Sequence, residues 1–125
     1  MLTGFPVQVG LVRKVVFLTT TGGSTTWALP SDWNDANSEI HVFGGGMSGQ
    51  GNAGSDGGFG GDGGDWAAIY SPNITGTYTP GVSSIPYVIG AGGAGGFQNR
   101  VNGDDTYFGH ASDITSALVG AAGAG

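Results

Sequence analysis

The sequence predicts an all-β fold: a small β-sheet or sandwich base from which glycine-rich runs rise and pack side by side, with almost no helix. Three observations predict it. Short β-branched and aromatic segments are separated by Gly, Pro, Asn and Ser turn signals. No segment keeps a 3.6-residue apolar period over two turns. The glycines recur at every third position, which is the period of neither helix nor strand but of an extended polyproline II helix.

The glycine pattern is densest between Gly44 and Asp65, where 12 of 22 residues are glycine. Gly51, Gly54, Gly57, Gly60 and Gly63 form one row with a step of three, and Gly58, Gly61 and Gly64 form a second row one position over. Gly90, Gly93 and Gly96 keep the same step, and Gly120 and Gly123 repeat it near the end of the chain. The working assignment places Gly51, Gly54, Gly57, Gly60, Gly63, Gly90, Gly93 and Gly96 where backbones touch, in a polyglycine-II arrangement. Ordering 28 glycines carries a large entropic cost. Close backbone hydrogen bonding between runs, or oligomerisation, must offset it.

The strand expectations run in order. Met1 to Gly10 is short, apolar and broken by Pro6, and reads as an extended attachment arm; residues 11–125 read as one glycine-rich β domain. Leu11 to Thr20 is the strongest strand candidate, closed by Gly22-Gly23. Thr25 to Leu29 follows and ends at Pro30. Glu39 to Phe43 alternates, with Ile40 and Val42 on one face and Glu39, His41 and Phe43 on the other. Further strands are expected at Trp66–Tyr70, Thr75–Tyr78, Ser84–Ile89, Thr106–Gly109 and Ile114–Val119. Pro86 suggests that its strand lies at a sheet edge or begins there. The strands ending at Phe43, Ile89 and Val119 each feed a glycine run.

Composition narrows the function classes. The formal charge is −6 and the basic residues are Arg13, Lys14 and Arg100 alone, which argues against phosphate neutralisation on nucleic acid. No apolar run is long enough to insert in a membrane, and no secretory leader pattern is visible. The absence of cysteine removes disulfides and thiolate metal sites. Ser, His and Asp residues occur without a nucleophile-elbow spacing, and no Gly-Lys-Ser/Thr follows any glycine row, so no enzyme activity is expected. No cofactor is expected either. Gly57 to Asp62 holds one partial copy of the G-G-x-G-x-D calcium repeat, but that repeat binds in tandem. Asp56, Asp62, Asp65, Asp104 and Asp105 read first as solvated loop carboxylates. Trp27, Tyr70 and Tyr107, on strands, read as core or interface. Trp33, Phe59 and Phe97, on loops, are the candidates for partner or receptor contact.

The order of these signals resembles the glycine-rich domain of phage tail-fibre and related virion proteins. The residues that carry it are Trp27-Ala28-Leu29-Pro30, then His41-Val42-Phe43-Gly44-Gly45-Gly46, Gly57 to Gly64, Pro80-Gly81, Val88 to Gly96, Thr106-Tyr107-Phe108-Gly109 and the closing Gly120 to Gly125. The chain is also similar to the polyglycine-II sandwich of receptor-binding adhesins at fibre tips. The resemblance covers roughly Val15 to the end. It departs from a tail fibre in being far shorter, without a shaft, and in stopping inside the third glycine run; either the subunit is a minimal one attached directly to the particle, or a neighbouring subunit completes that run. The resemblance implies a virion structural protein, in a fibre, tail or capsid-decoration role. Its partners would be other virion proteins and copies of itself, a trimer first. A receptor-binding tip that contacts host-surface glycan or protein is the second expectation. Ice binding is the third, since antifreeze proteins also use polyglycine-II bundles; here aromatic and acidic residues interrupt the flat regular face that ice binding needs.

Overall fold

The computed structural model describes residues 12–51, 58, 60–97 and 99–125. The proposed arm, Met1 to Gly10, lies outside the described residues. The fold is all-β, with a four-stranded sheet, a two-stranded sheet and a short parallel pair. The strands are β1 (Thr25–Ala28), β2 (Glu39–Phe43), β3 (Gln50–Gly51), β4 (Trp66–Tyr70), β5 (Ser84–Val88), β6 (Gly96–Phe97), β7 (Thr106–Phe108) and β8 (Val119–Ala121). The larger sheet runs β1-β5-β7-β8, antiparallel throughout, and β2 pairs antiparallel with β4. Two 3-10 turns, Asp35–Asn37 and Ile114–Ser116, are the only helical elements among the described residues.

The core lies between the two sheets. Leu29, Val42, Ile74, Ile85, Tyr87, Phe108, Val119 and Ala121 are buried there. Val42 is buried and Ile40 half-buried, whereas Glu39, His41 and Phe43 are exposed, as the alternation in the sequence requires. Trp27 projects from β1 into the same space and packs edge-on against Trp33 (ring centroids 5.8 Å apart) and obliquely against Phe108 (6.0 Å).

Above this base, five extended runs, four of them glycine-rich, form one bundle. Three of them leave strands: residues 44–48 continue β2, 90–93 continue β5 and 122–125 continue β8. Two return into strands, 61–65 into β4 and 101–105 into β7. The run 44–48 is central and bonds to all four others. The amides of Gly44 and Met47 donate to the carbonyls of Asp65 and Asp62. Those of Gly45 and Ser48 donate to Asp104 and Val101. The carbonyls of Gly45 and Gly46 accept from Ala124 and Gly93. Residues three apart thus address the same neighbour, and adjacent residues address different ones. That is the consequence of three residues per turn. A strand, with a period of two, could bond only two neighbours.

The central run is antiparallel to 61–65 and 101–105 and continues through β3 parallel to β6. Two buried polar side chains belong to the same network. Ser48 Oγ accepts from the Val101 amide at 2.8 Å, and Thr106 Oγ1 accepts from the Gly90 amide at 2.9 Å.

The structure corrects four strand expectations. Residues 12–20 form no strand and belong to neither sheet. Ile114–Ser116 is a 3-10 turn that Asp113 caps, and the last strand starts only at Val119. Thr75–Tyr78 is a turn, in which the amides of Thr77 and Tyr78 return to the Ile74 carbonyl. Finally, β5 is not an edge strand but lies between β1 and β7. Pro86 is tolerated because it lies one position beyond the β5–β7 ladder, which starts at Tyr87 opposite Phe108. Gly109 N–H donates to the Pro86 carbonyl at 2.8 Å, and the return bond that proline cannot make falls where Gly109 leaves the ladder with φ +96°.

Candidate interaction surface

Two features of the β base face solvent. The first is the outer face of the β2–β4 pair. Its register sets Glu39 opposite Tyr70, His41 opposite Ala68 and Phe43 opposite Trp66. The side chains alternate, so these six residues share one face while Ile40, Val42, Ala67 and Ile69 turn to the core. Phe43 is 64% exposed, Trp66 55% and Tyr70 62%. His41 stacks on Trp66 (5.7 Å, 30°) and meets Tyr70 edge-on (5.8 Å, 88°). Its Nε2 lies 3.5 Å from Glu39 Oε1. The result is a row of rings with a carboxylate at one end, a surface that can stack on flat apolar faces and accept hydrogen bonds beside them.

The second feature is a groove of about 1260 Å³ that runs along β2 and opens into the space between the sheets, with Trp27, Trp33, Ile40, Tyr87, Ile89 and Phe108 in its walls. Residues 12–19 pass along it. Two exposed ion pairs hold them, Arg13 Nη2 to Glu39 Oε1 at 2.9 Å and Lys14 to Asp32. Lys14 holds the Asp32 carboxyl below the usual carboxylate range through its hydrogen bond and its charge. Only Leu18 of this segment packs against the core cluster. Val12 (82% exposed), Val15, Val16 and Phe17 (83%) remain in solvent.

Trp33 is half-buried against Trp27, and its indole N–H donates to Asp35 Oδ1 at 2.7 Å. Asp35 also accepts from the Ile74 amide and from both the amide and the hydroxyl of Thr75. This carboxylate therefore ties the loop that carries Trp33 to the turn that buries Ile74. Phe97 lies not on a loop but on β6, paired with Gly51 of β3. Phe59 lies outside the described residues.

The glycines divide sharply. A Cβ on Gly90 would lie 2.0 Å from the Asp104 carbonyl oxygen, and one on Gly93 would lie 1.9 Å from that of Val101. In the second run, the row in contact is Gly58, Gly61 and Gly64, which meet the carbonyl oxygens of Gln50, Met47 and Gly44 at 2.3, 1.8 and 2.2 Å. Gly60 and Gly63, assigned to contact by their step alone, face no described atom within 4 Å. Both rows have the same period, so spacing could not choose between them. Gly51 and Gly96 sit in the β3–β6 pair, and Gly54 and Gly57 lie outside the described residues. Among the described residues, no group of three or more His, Asp or Glu side chains is placed to hold a metal ion.

Sequence reasoning gives Tyr70 as core or interface and does not group it with Phe43 and Trp66, whereas the structure exposes all three on one face. The signal was present in Trp66-Ala-Ala-Ile-Tyr70: its alternation puts both large rings on the face opposite Ile69. Comparison with known proteins adds one relationship. The profile of a family described as a glycine-rich domain matches residues 19–125. No curated protein and no solved structure matches the chain.

Proposed function

The chain belongs to the glycine-rich domain family, and from that premise we propose that it is a virion structural protein, a phage fibre, tail or capsid-decoration subunit. The observation that carries this reading is the alternation of strand and run. Strands β2, β5 and β8 each launch a run, and the runs interlock through backbone bonds into a single bundle. This is the order of signals on which the resemblance to virion proteins rests. Bonds that cross between neighbouring runs share the load when the bundle is pulled along its length, which suits a mechanical role and asks for no reaction chemistry. The role is thus adhesive and structural, with other virion proteins and further copies of the chain as partners. Quantitative mass spectrometry of purified particles tests it. A fixed copy number per particle is expected. Presence in the infected lysate with absence from purified particles would sink the idea.

The exposed rings Phe43, Trp66 and Tyr70 favour a second reading, a receptor-binding tip. Rings of this kind stack on sugar faces and anchor protein contacts. Purified protein would then compete with particles for adsorption to host cells.

A further inference from the structure

We propose that residues 12–20 are an exchanged strand, which seats along the open edge of β2 in a second copy of this chain. The inference does not depend on the virion reading.

The acceptor is defined by register. Gly44 N–H donates to the Asp65 carbonyl, and Ser71 N–H donates to the Ser38 carbonyl. Both bonds lie on the β2–β4 register, in which 39 faces 70 and 43 faces 66. Bonded pairs alternate in an antiparallel ladder, so Ile40 and Val42 bond β4. The N–H and C=O groups of Glu39, His41 and Phe43 therefore point the other way. Among the described residues no strand lies on that side, because β2 and β4 make a two-stranded sheet. The groove lies along this edge and is lined with apolar side chains.

The donor is residues 12–20. Val12, Val15, Val16 and Phe17 are strand-forming residues, yet the segment has no place in a ladder and leaves them exposed. A row of unpaired strand groups beside an unpaired edge is a template for pairing between chains. Residues 12–18 also precede the family match, which begins at residue 19, so most of the donor is additional to the matched domain.

Charge complementarity fits a second copy of this chain as the occupant, since the pairs Arg13–Glu39 and Lys14–Asp32 that form within one chain can equally form between two. Arg13 and Lys14 lie on the segment, which carries no acidic residue. All nine acidic residues follow position 31, with Arg100 their only basic company. A basic strand thus meets an acidic body whose groove is rimmed by Asp32 and Glu39. In its own chain the segment reaches those two carboxylates but not the β2 ladder. Each copy therefore offers one unsatisfied strand and one unsatisfied edge. Such a head-to-tail contact can close as a ring.

The test uses the full-length chain and the double variant Val12→Asp/Phe17→Asp. Both side chains are exposed in the isolated chain, so the variant should fold with an unchanged circular dichroism spectrum. Sedimentation equilibrium should give the parent protein a mass that is a multiple of 12.4 kDa, and the variant the mass of one chain. Amide hydrogen exchange at Glu39, His41 and Phe43 should be slowed at least ten-fold in the parent relative to the variant. A monomeric parent overturns the proposal, whether or not those amides are protected. So does a variant that keeps the parent's mass, or one that loses association with no change at the three amides.

Discussion

A Cβ on Gly103 would lie 1.9 Å from the carbonyl oxygen of Gly45. Gly45 belongs to the central run, and its oxygen already accepts from Ala124 while its amide donates to Asp104. The atom in the way is therefore backbone held on several sides, and it cannot yield as a flexible side chain would. Gly103→Ala should cost more than about 4 kcal/mol, the range reserved for severe overpacking. Gly60→Ala and Gly63→Ala are the controls. Neither position meets a described atom within 4 Å, and neither has a left-handed φ. At such sites alanine stabilises by about 0.4–1 kcal/mol, because it restricts the unfolded chain. Urea denaturation of the three variants checks the contrast; equal losses at 103 and 60 would mean that the runs do not pack as described.

Asp35 governs a different joint. Burial pushes its carboxyl up, but the hydrogen bonds from Thr75, Trp33 and Ile74 outweigh that and bring it below the usual carboxylate range. Asp35→Ala leaves the amide of Ile74 without its carboxylate partner and frees the Trp33 indole. Melting temperature should fall, and Trp fluorescence should change as the indole loses its acceptor. Asp35→Asn keeps the shape but turns one acceptor oxygen into a donor, so it should fall between the parent and the alanine variant. An alanine variant with the parent's melting temperature and spectrum would show that the Trp33 loop is held by packing alone.

Part of this fold is legible in the sequence and part is not. The strand Glu39–Phe43 was readable because one face had to be apolar and the other polar, and its register follows from that pleat. Trp66–Tyr70 was readable for the same reason. Residues 12–20 have a stronger strand composition than either, but composition describes a strand's fitness and not the presence of an edge for it to join. Ile114–Ser116 is β-branched at two positions, yet Asp113 accepts from the amide and hydroxyl of Thr115 and from the hydroxyl of Ser116, and that local competition bends the chain into a turn. The three-residue period of the glycines was visible in the sequence. Which of the two equivalent rows faces a neighbouring backbone depends on the phase of the run about its own axis, and β4, into which residues 61–65 lead, sets that phase from outside the run.

The Asp113 cap predicts a pH dependence. The hydrogen bonds from Ser116 and Thr115 bring its carboxyl down from 3.8 to about 2. A group whose folded pKa is depressed contributes stability that is fully present above the unfolded pKa and is lost as pH falls through the folded one. The turn at 114–116 should therefore be intact above about pH 4 and should loosen between that point and about pH 2, by the linkage just stated. Chemical shifts of Thr115 and Ser116, followed from pH 6 to pH 2, report it. Asp113→Asn should remove the transition from these two residues. If the variant titrates like the parent, another group controls the turn.

The exposed rings and the core should separate under mutation. Ile85 is wholly buried on an inner strand of the larger sheet, so Ile85→Ala should cost about 2–5 kcal/mol. Phe43→Thr removes a ring of similar apolar bulk from the solvent face, where Phe43 sits opposite Trp66 across the β2–β4 pair. Such pairs are worth about 0.2–1 kcal/mol, and threonine suits a strand. The melting temperature should therefore barely move. If the ring face contacts a receptor, the same substitution should abolish competition for host-cell adsorption at concentrations where the parent protein competes. Retained competition, in a variant shown to be folded, would remove Phe43 from any receptor contact.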